Sequence, residues 1–393
     1  MLGTYNRYPV VFARGKGVFL YDIDDRRYLD FVSGLGVNAL GHAHPRIVKT
    51  IREQAAKLIH VSNLYYHQYQ GALAEKLCTL ASGNSGEKFR AFFQNSGTEA
   101  IEGSIKLARL AGHRAGGEAK SRLVALEGSY HGRTFGALSL TGQEKHRKGF
   151  EPMLEEVTFV AQNDVEGLRA AVNDNTCAIV LEPIFGEGGI YECSVEFLQA
   201  CRAAADQHKA ALIFDEIQCG LGRTGTMFAF QSFGVTPDIV AIAKPIAAGL
   251  PLGAFLAKEE FASAISPGQH GTTFGGGPLA CRVALEFLAI VQDEKLLDNV
   301  NQVGAYLQQE LKAVAEKSPA AKEVRGRGFI QGINLEIPAR PIVDEALAEG
   351  VLFNSTHDTV VRFLPPFLLE EKHVDKGIRV LKKLLRKKRK VAA

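Results

Sequence analysis

The strongest constraint on the fold is a change of rhythm at Lys88, after which short apolar runs alternate with longer stretches of helical periodicity. Phe89–Phe93, Leu123–Leu126, Ala178–Leu181, Ala211–Phe214, Ile239–Ala243 and Gly253–Ala257 have strand length, and helical patterns run over Thr98–Ala111 and Val195–His208. A strand that is apolar at every position has no solvent face. It belongs in a mainly parallel sheet covered by helices on both sides, an α/β arrangement. In such sheets ligands gather outside the carboxyl ends of the strands. The 40 glycines, many at the ends of apolar runs, suit the tight loops that such a sheet needs.

Other regions flank this alternation. Near the start, Gly17–Tyr21 and Arg27–Phe31 alternate apolar and polar residues around a turn at Asp24-Asp25, which predicts a β-hairpin. Ile47, Val48, Ile51, Ala55 and Leu58 recur at helical spacing behind Pro45. Beyond Pro278 a long helical stretch leads into strand-like segments at Gly328–Glu336 and Val360–Phe363, as in a second, smaller domain. A chain of 393 residues suits two associated domains.

The formal charge of +3 comes from one place. Seven of the 46 basic residues lie between Lys382 and Lys390, leaving 39 against 43 acidic residues elsewhere. Such a tail could bind nucleic acid or an acidic protein, but a solvated helix end whose cations complement the macrodipole explains it more simply. The acidic remainder argues against nucleic acid as a main partner. The six cysteines show no CxxC or Cys/His ligand spacing, which predicts reduced thiols and neither a zinc site nor a disulfide framework. No apolar run is long enough to cross a bilayer and the first residues form no apolar leader, so no membrane partner and a cytoplasmic location are expected.

Four segments carry candidate chemistry. Asn95-Ser-Gly-Thr-Glu-Ala100 follows an apolar run and opens a helix. Its N–H groups, hydroxyl and glycine could cradle a phosphate, although Ser96-Gly-Thr-Glu99 also reads as a capping box. Phe214-Asp-Glu-Ile-Gln218 ends a strand in two carboxylates, which could hold a metal, act as a base or cap the next helix. Against a cofactor with a basic ring nitrogen, Asp215 would keep that nitrogen protonated and make the ring an electron sink. Ile239-Val-Ala-Ile-Ala-Lys244 ends an apolar strand in a lysine. Desolvation there lowers the amine pKa toward nucleophilic reactivity, unless the side chain snorkels to solvent. Gly271-Thr-Thr-Phe-Gly-Gly-Gly-Pro278 is a further potential phosphate loop, or a flexible turn.

Taken in order along the chain, these segments resemble the class III aminotransferases among the fold-type I pyridoxal-phosphate enzymes, and within them most closely the acetylornithine aminotransferases. The resemblance runs over nearly the whole chain. It includes Tyr28-Leu-Asp-Phe31, Leu40-Gly-His-Ala-His-Pro45, His60-Val-Ser-Asn-Leu-Tyr-Tyr66, Tyr130-His-Gly-Arg-Thr134 and Glu182-Pro183 with Gly186-Glu-Gly-Gly189. Gly222-Arg-Thr-Gly225, Pro237-Asp238, Ala243-Lys244, His270–Gly276 and Arg362-Phe-Leu-Pro-Pro366 complete it. It implies a large cofactor-binding domain over residues 61–285 and a smaller α+β domain built from both termini, residues 1–60 and 286–393.

The resemblance also implies roles. Lys244 would hold pyridoxal 5′-phosphate covalently and then move the substrate proton. Asp215 would pair with the ring nitrogen, Gln218 would lie by the phenolic oxygen and Tyr130 would stack on the ring. Gly97 and Thr98 would hold the phosphate, joined by Thr273 of a second subunit, so that the site requires a homodimer. Arg133 and Thr272 would bind an acylated ornithine. His42 and His44 read as loop-ordering residues, and Glu182 as a structural carboxylate at a strand end. No metal is implied.

An enzyme of this type takes a distal amine first and 2-oxoglutarate second. An arginine for the carboxylate beside the reacting carbonyl would stand unpaired in the first half-reaction, at a cost on the order of several kcal/mol. The resemblance implies that Glu187 pairs with Arg362 until 2-oxoglutarate displaces it, with Arg133 holding the far carboxylate throughout. The expected reaction is transfer of the terminal amino group of N-acetylornithine to 2-oxoglutarate, giving N-acetylglutamate semialdehyde and glutamate in arginine biosynthesis. Succinylornithine, ornithine, 4-aminobutyrate, a carrier-linked step of lysine biosynthesis, or an aminomutase or racemase reaction are the alternatives. Three positions depart from the family pattern: Pro245 after the lysine, Gly277 before Pro278, and Ile101.

Overall fold

A computed structural model describes residues 2–83 and 85–389. The N-terminal hairpin forms as β1 (Phe12–Lys16) and β2 (Phe19–Asp22), continued by β3 (Arg27–Asp30). The strands of the central alternation follow: β4 (Phe89–Gln94), β5 (Arg122–Leu126), β6 (Val157–Val160), β7 (Thr176–Leu181), β8 (Ala211–Asp215), β9 (Ile239–Ile242) and β10 (Gly253–Lys258). The C-terminal strands are β11 (Ala321–Arg327), β12 (Ile330–Leu335), β13 (Val351–Leu352), β14 (Asn354–Thr356) and β15 (Val360–Phe363).

The central seven strands form one sheet in the order β4-β10-β9-β8-β7-β5-β6. All its pairings are parallel except those of β10, which runs antiparallel to β4 and β9. The unbroken apolar strands are explained by packing on both faces. Leu123, Ala125, Ala178, Val180, Ala211, Ile213, Ile239 and Ala241 join one core cluster. The alternating residues Val124, Leu126, Ile179, Leu181, Leu212, Phe214, Val240 and Ile242 join the other. The helix Gly97–Gly116 covers the first face, against β7, β8, β9 and β10.

Two four-stranded sheets flank this core. One, in the order β1-β2-β3-β13, ties the N-terminal hairpin to the C-terminal region through the parallel β3–β13 pair. The other has the order β11-β12-β15-β14 and packs on the helix Leu296–Lys317. The helix Glu371–Arg389 carries most of the basic tail; there Lys382 pairs with Glu310 and Lys383 with Glu349, whereas Lys390 lies outside the described residues. Among the described residues no helix is long and apolar enough to cross a membrane. His42 Nε2 meets Asp30 at 2.8 Å and His44 Nε2 meets Glu294 at 3.3 Å, each fastening the loop ahead of the helix Pro45–Ala55.

All six cysteines are free, and burial pushes Cys177 up to about 11 and both Cys193 and Cys281 up to about 12. At pH 8 a thiol of pKa about 11 is ionised to roughly one part in a thousand. A thiol-disulfide reagent at that pH should therefore label native protein slowly, with most of the six thiols appearing only on denaturation. Rapid labelling of Cys177, Cys193 or Cys281 in native protein would contradict this packing.

Candidate active site

A cavity of about 430 Å³ opens where the ends of β4, β7, β8 and β9 converge. It is lined by Gly97, Thr98, Tyr130, Arg133, Asp215 and Lys244 among others. Each comes from a strand end or the loop that follows it, as expected of a doubly covered sheet.

Lys244 does not end the strand itself. β9 stops at Ile242, and Lys244 opens a 3₁₀ turn over Lys244–Ala247 with a φ of 36°, in the left-handed region. Lysine seldom adopts that conformation, and such strain persists where surrounding structure holds it. Pro245 fits here because its carbonyl accepts the Ala248 N–H at 2.9 Å, and it is buried within the turn. The departure at Pro245 thus lies within a compact turn behind the amine. Burial lowers the Lys244 pKa, opposed by the charges of Asp215, Glu187 and Glu182.

Asp215 is the last residue of β8 and is 4% exposed. Its Oδ2 lies 2.8 Å from Nδ1 of His131, and its Oδ1 accepts the Ile217 N–H at 3.0 Å. His131 stands beside Tyr130 in a segment the sequence reading singled out, yet this partnership was not foreseen because its partner lies 84 residues away. Its Nε2 is buried with no partner among the described residues. Glu216, next to Asp215, faces away from the chemistry and accepts the N–H groups of Ala229 at 2.6 Å and Phe230 at 2.7 Å.

The segment Asn95–Ala100 is a helix cap and also part of the cavity wall. Ser96 Oγ accepts the Glu99 N–H at 3.3 Å, and Glu99 Oε2 accepts the Asn95 N–H at 2.6 Å. The N–H groups of Gly97 and Thr98 belong to the first turn of the helix Gly97–Gly116, where no intrahelical carbonyl can reach them. Thr98 Oγ1 accepts N–H groups from Arg133 and Thr134, each at 3.2 Å, binding the helix start to the Tyr130–Thr134 loop. Gly132 permits this approach: its φ is +140°, and a Cβ there would collide with Thr98 Oγ1.

Arg362 is 1% exposed on β15 and meets Glu187 at the far side of the cavity. Its Nη1 donates to Glu187 Oε1 at 2.6 Å, to the Gly186 carbonyl at 2.9 Å and to Gln218 Oε1 at 3.1 Å. Its Nε donates to Asn354 Oδ1 at 3.0 Å, across a β14–β15 pairing in which Asn354 and Arg362 are opposite. Asn354 is a site residue that the sequence reading missed. Burial pushes Glu187 up, but the charge and hydrogen bond of Arg362, aided by Lys244, bring it below the ordinary carboxylate range. Gln218 lines the cavity with Asp215 but turns its amide oxygen to Arg362.

Arg133 is exposed at the mouth, where its Nε donates to the Tyr130 hydroxyl at 3.2 Å. Among the described residues no carboxylate pairs with it. Thr272 and Thr273 do not line the Lys244 cavity. Thr272 instead lines a concavity of about 640 Å³ with Ser62, Asn63, Tyr66 and His270, and Thr273 beside it is exposed. Gly277 is the N-cap of the helix Pro278–Asp293, its carbonyl accepting the Cys281 N–H at 3.0 Å, and Ile101 is fully buried, so the departure at 101 fills the core.

A buried amine, a carboxylate beside it, an aromatic wall and a helix N-terminus converge on one space. The model for the family described as aminotransferase class-III matches residues 3–385. The chain belongs to the class III aminotransferases. It is 43% identical over 98% of its length to an acetylornithine aminotransferase of Aquifex aeolicus, of which it covers 99%. Identity is 45% to one of Methanocaldococcus jannaschii, with 97% of this chain and 94% of that protein covered. The crystal structure of an ornithine aminotransferase from Toxoplasma gondii superposes with a TM-score of 0.93 at 30% identity, covering 99% of this chain and 93% of that one. The fold is that of the pyridoxal-phosphate aminotransferases. The residues of the cavity fit pyridoxal phosphate: Lys244 for its aldehyde carbon, Asp215 for its ring nitrogen and the Gly97–Thr98 helix start for its phosphate.

Proposed function

We propose that the chain transfers the terminal amino group of N-acetylornithine to 2-oxoglutarate, with pyridoxal phosphate as cofactor, as a step of arginine biosynthesis. The observation that carries this reading is the Arg362–Glu187 pair at 2.6 Å beside the Lys244 cavity, with Arg133 at its mouth. One guanidinium has a removable counter-ion and the other has none. Such a set accepts a substrate with one carboxylate and then one with two. Identities of 42–45% over nearly the whole chain to relatives named acetylornithine aminotransferase favour an acylated donor.

Pyridoxal phosphate, when bound, supplies an electron sink for the pair left behind when a proton leaves the substrate carbon. This chain supplies the rest. The depressed Lys244 pKa favours the free amine, so Nζ can act as nucleophile and then carry the proton. Asp215, held by His131, stabilises a cation at the ring-nitrogen position. Tyr130 forms an aromatic wall and Gln218 offers a hydrogen bond. Arg133 grips the carboxylate remote from the reacting carbon through its bidentate fork; Thr272, outside the cavity of its own chain, would join that subsite only from a second subunit.

The enzyme works as a homodimer with shared sites. Leu64, Tyr65, Tyr66 and Phe274 are 87%, 67%, 104% and 67% exposed, an apolar surface beside the loop of Thr272 and Thr273. A second subunit covering it would receive Thr273 at its own phosphate site. Free thiols and soluble substrates suit the cytoplasm.

Steady-state kinetics with each amine donor and 2-oxoglutarate test the substrate. Acetylornithine should give the highest kcat/KM, with parallel double-reciprocal lines. Preference for ornithine or 4-aminobutyrate would overturn the assignment. Subunit mixing tests the shared site. Lys244→Ala and Thr273→Glu proteins, each impaired alone, should recover up to about a quarter of wild-type activity after exchange, because half the dimers then carry one intact site. No recovery despite demonstrated exchange would mean that each subunit is self-sufficient.

A further inference from the structure

Glu182 is the one carboxylate of the cavity without an assigned task. It follows directly on β7 and is 5% exposed. Its Oε1 accepts the Tyr130 N–H at 2.9 Å and its Oε2 accepts the Gly186 N–H at 3.0 Å. Those amides belong to separate loops with separate duties. One loop continues from Tyr130 to Arg133, whose guanidinium meets the Tyr130 hydroxyl. The other continues to Glu187, and the Gly186 carbonyl itself receives Arg362 Nη1 at 2.9 Å. One carboxylate therefore spans the backbones of the two loops that present the two arginine subsites.

A neutral side chain could satisfy buried N–H groups without the expense of a charge. Here burial and the neighbouring Asp215 push the Glu182 carboxyl up to about 7, with His131 and the two N–H groups opposing them. No arginine or lysine forms an ion pair with Glu182 among the described residues. What distinguishes a carboxylate from any amide is two equivalent acceptors at fixed spacing, each able to take one N–H.

We propose that Glu182 is a positioning residue that sets the register between the Arg133 loop and the Glu187–Arg362 gate, and thereby the chain length of the dicarboxylate that bridges them. This rests on the two-carboxylate reading above. Glutamine at 182 keeps the volume but turns an NH2 group toward one of the two N–H donors, freeing one loop. A freed loop lets the subsites drift, and the oxo acid, which engages both arginines at once, should feel this more than the amine donor does.

In Glu182→Gln holoenzyme the KM for 2-oxoglutarate is expected to rise about tenfold while kcat changes less, as for one lost buried hydrogen bond. The preference for 2-oxoglutarate over its homologues one carbon shorter and longer should shrink by a similar factor. Hydrogen exchange should quicken at the Tyr130 and Gly186 amides with the cofactor bound and in its absence. If the glutamine variant does not fold, Glu182→Asp, which keeps the charge and shortens the reach, should show the same loss of chain-length selectivity. Faster exchange with selectivity intact would make Glu182 a structural cap and overturn the proposal. Unaltered exchange would overturn it as well. A wild-type enzyme that does not use 2-oxoglutarate would sink the underlying reading and this proposal together, whereas a wild type that uses it, with an equally selective variant, sinks this proposal alone.

Discussion

Lys244→Ala is expected to remove turnover by roughly four powers of ten or more while leaving a folded protein. Lys244 is the only lysine among the residues lining the cavity, so no neighbouring amine can replace it. Its free-amine form is favoured by burial, which is also what makes it reactive. The fold should not depend on it. The side chain faces a cavity, and alanine meets the same left-handed backbone cost as lysine, so the exchange adds no new strain. Three measurements check this together: kcat, the visible absorbance of lysine-bound cofactor and the melting temperature. Retention of more than about one part in a hundred of wild-type kcat would remove Lys244 from the chemistry, since groups that act directly contribute far more.

The second large effect is an asymmetry. Glu187→Ala should lower kcat/KM for the amine half-reaction by about tenfold to a hundredfold and leave the 2-oxoglutarate half-reaction near wild type. Breaking a fully buried pair costs about 3–5 kcal/mol. Glu187 is 30% exposed, and Arg362 keeps Asn354, Gln218 and the Gly186 carbonyl, so the smaller range of about 1–3 kcal/mol applies here. Arg362→Ala should invert the pattern and damage the oxo-acid half-reaction most. The Glu187 pKa is depressed, so the pair is formed above the ordinary carboxylate range and is lost only when pH falls through that depressed value. Between about pH 6 and 9 the asymmetry should thus be independent of pH. Equal losses in the two half-reactions of Glu187→Ala would sink the gate.

How much of this was legible in the sequence varies with the kind of contact. The central sheet was readable because strands covered on both faces are apolar along their length, as in Cys177–Leu181 of β7 and the whole of β9. The antiparallel course of β10 was not, since its composition matches that of its parallel neighbours. The helix read as ending at Ala111 continues to Gly116: Gly112, a poor helix former, is kept because a Cβ there would strike Cys177 and the Lys120 carbonyl. Lys244, Asp215, Arg133, Glu187 and Arg362 were singled out through motifs; the fold sets the first four on the lining of one cavity and pairs Arg362 with Glu187. His131 and Asn354 escaped because each acts through a partner on another element, and only strand register reveals the Asn354–Arg362 pair. Thr272 and Thr273 stand apart from the cavity, so one chain's geometry gives them no partner there.

The most direct test of the account is a single turnover without an amino acceptor, followed through the visible absorbance of the lysine-bound cofactor. Acetylornithine alone should discharge that absorbance with release of one equivalent of semialdehyde per site, and added 2-oxoglutarate should restore it with release of glutamate. If no ω-amine discharges the absorbance, or if product continues to form without 2-oxoglutarate, the two-substrate site built around Lys244, Glu187 and Arg362 is wrong.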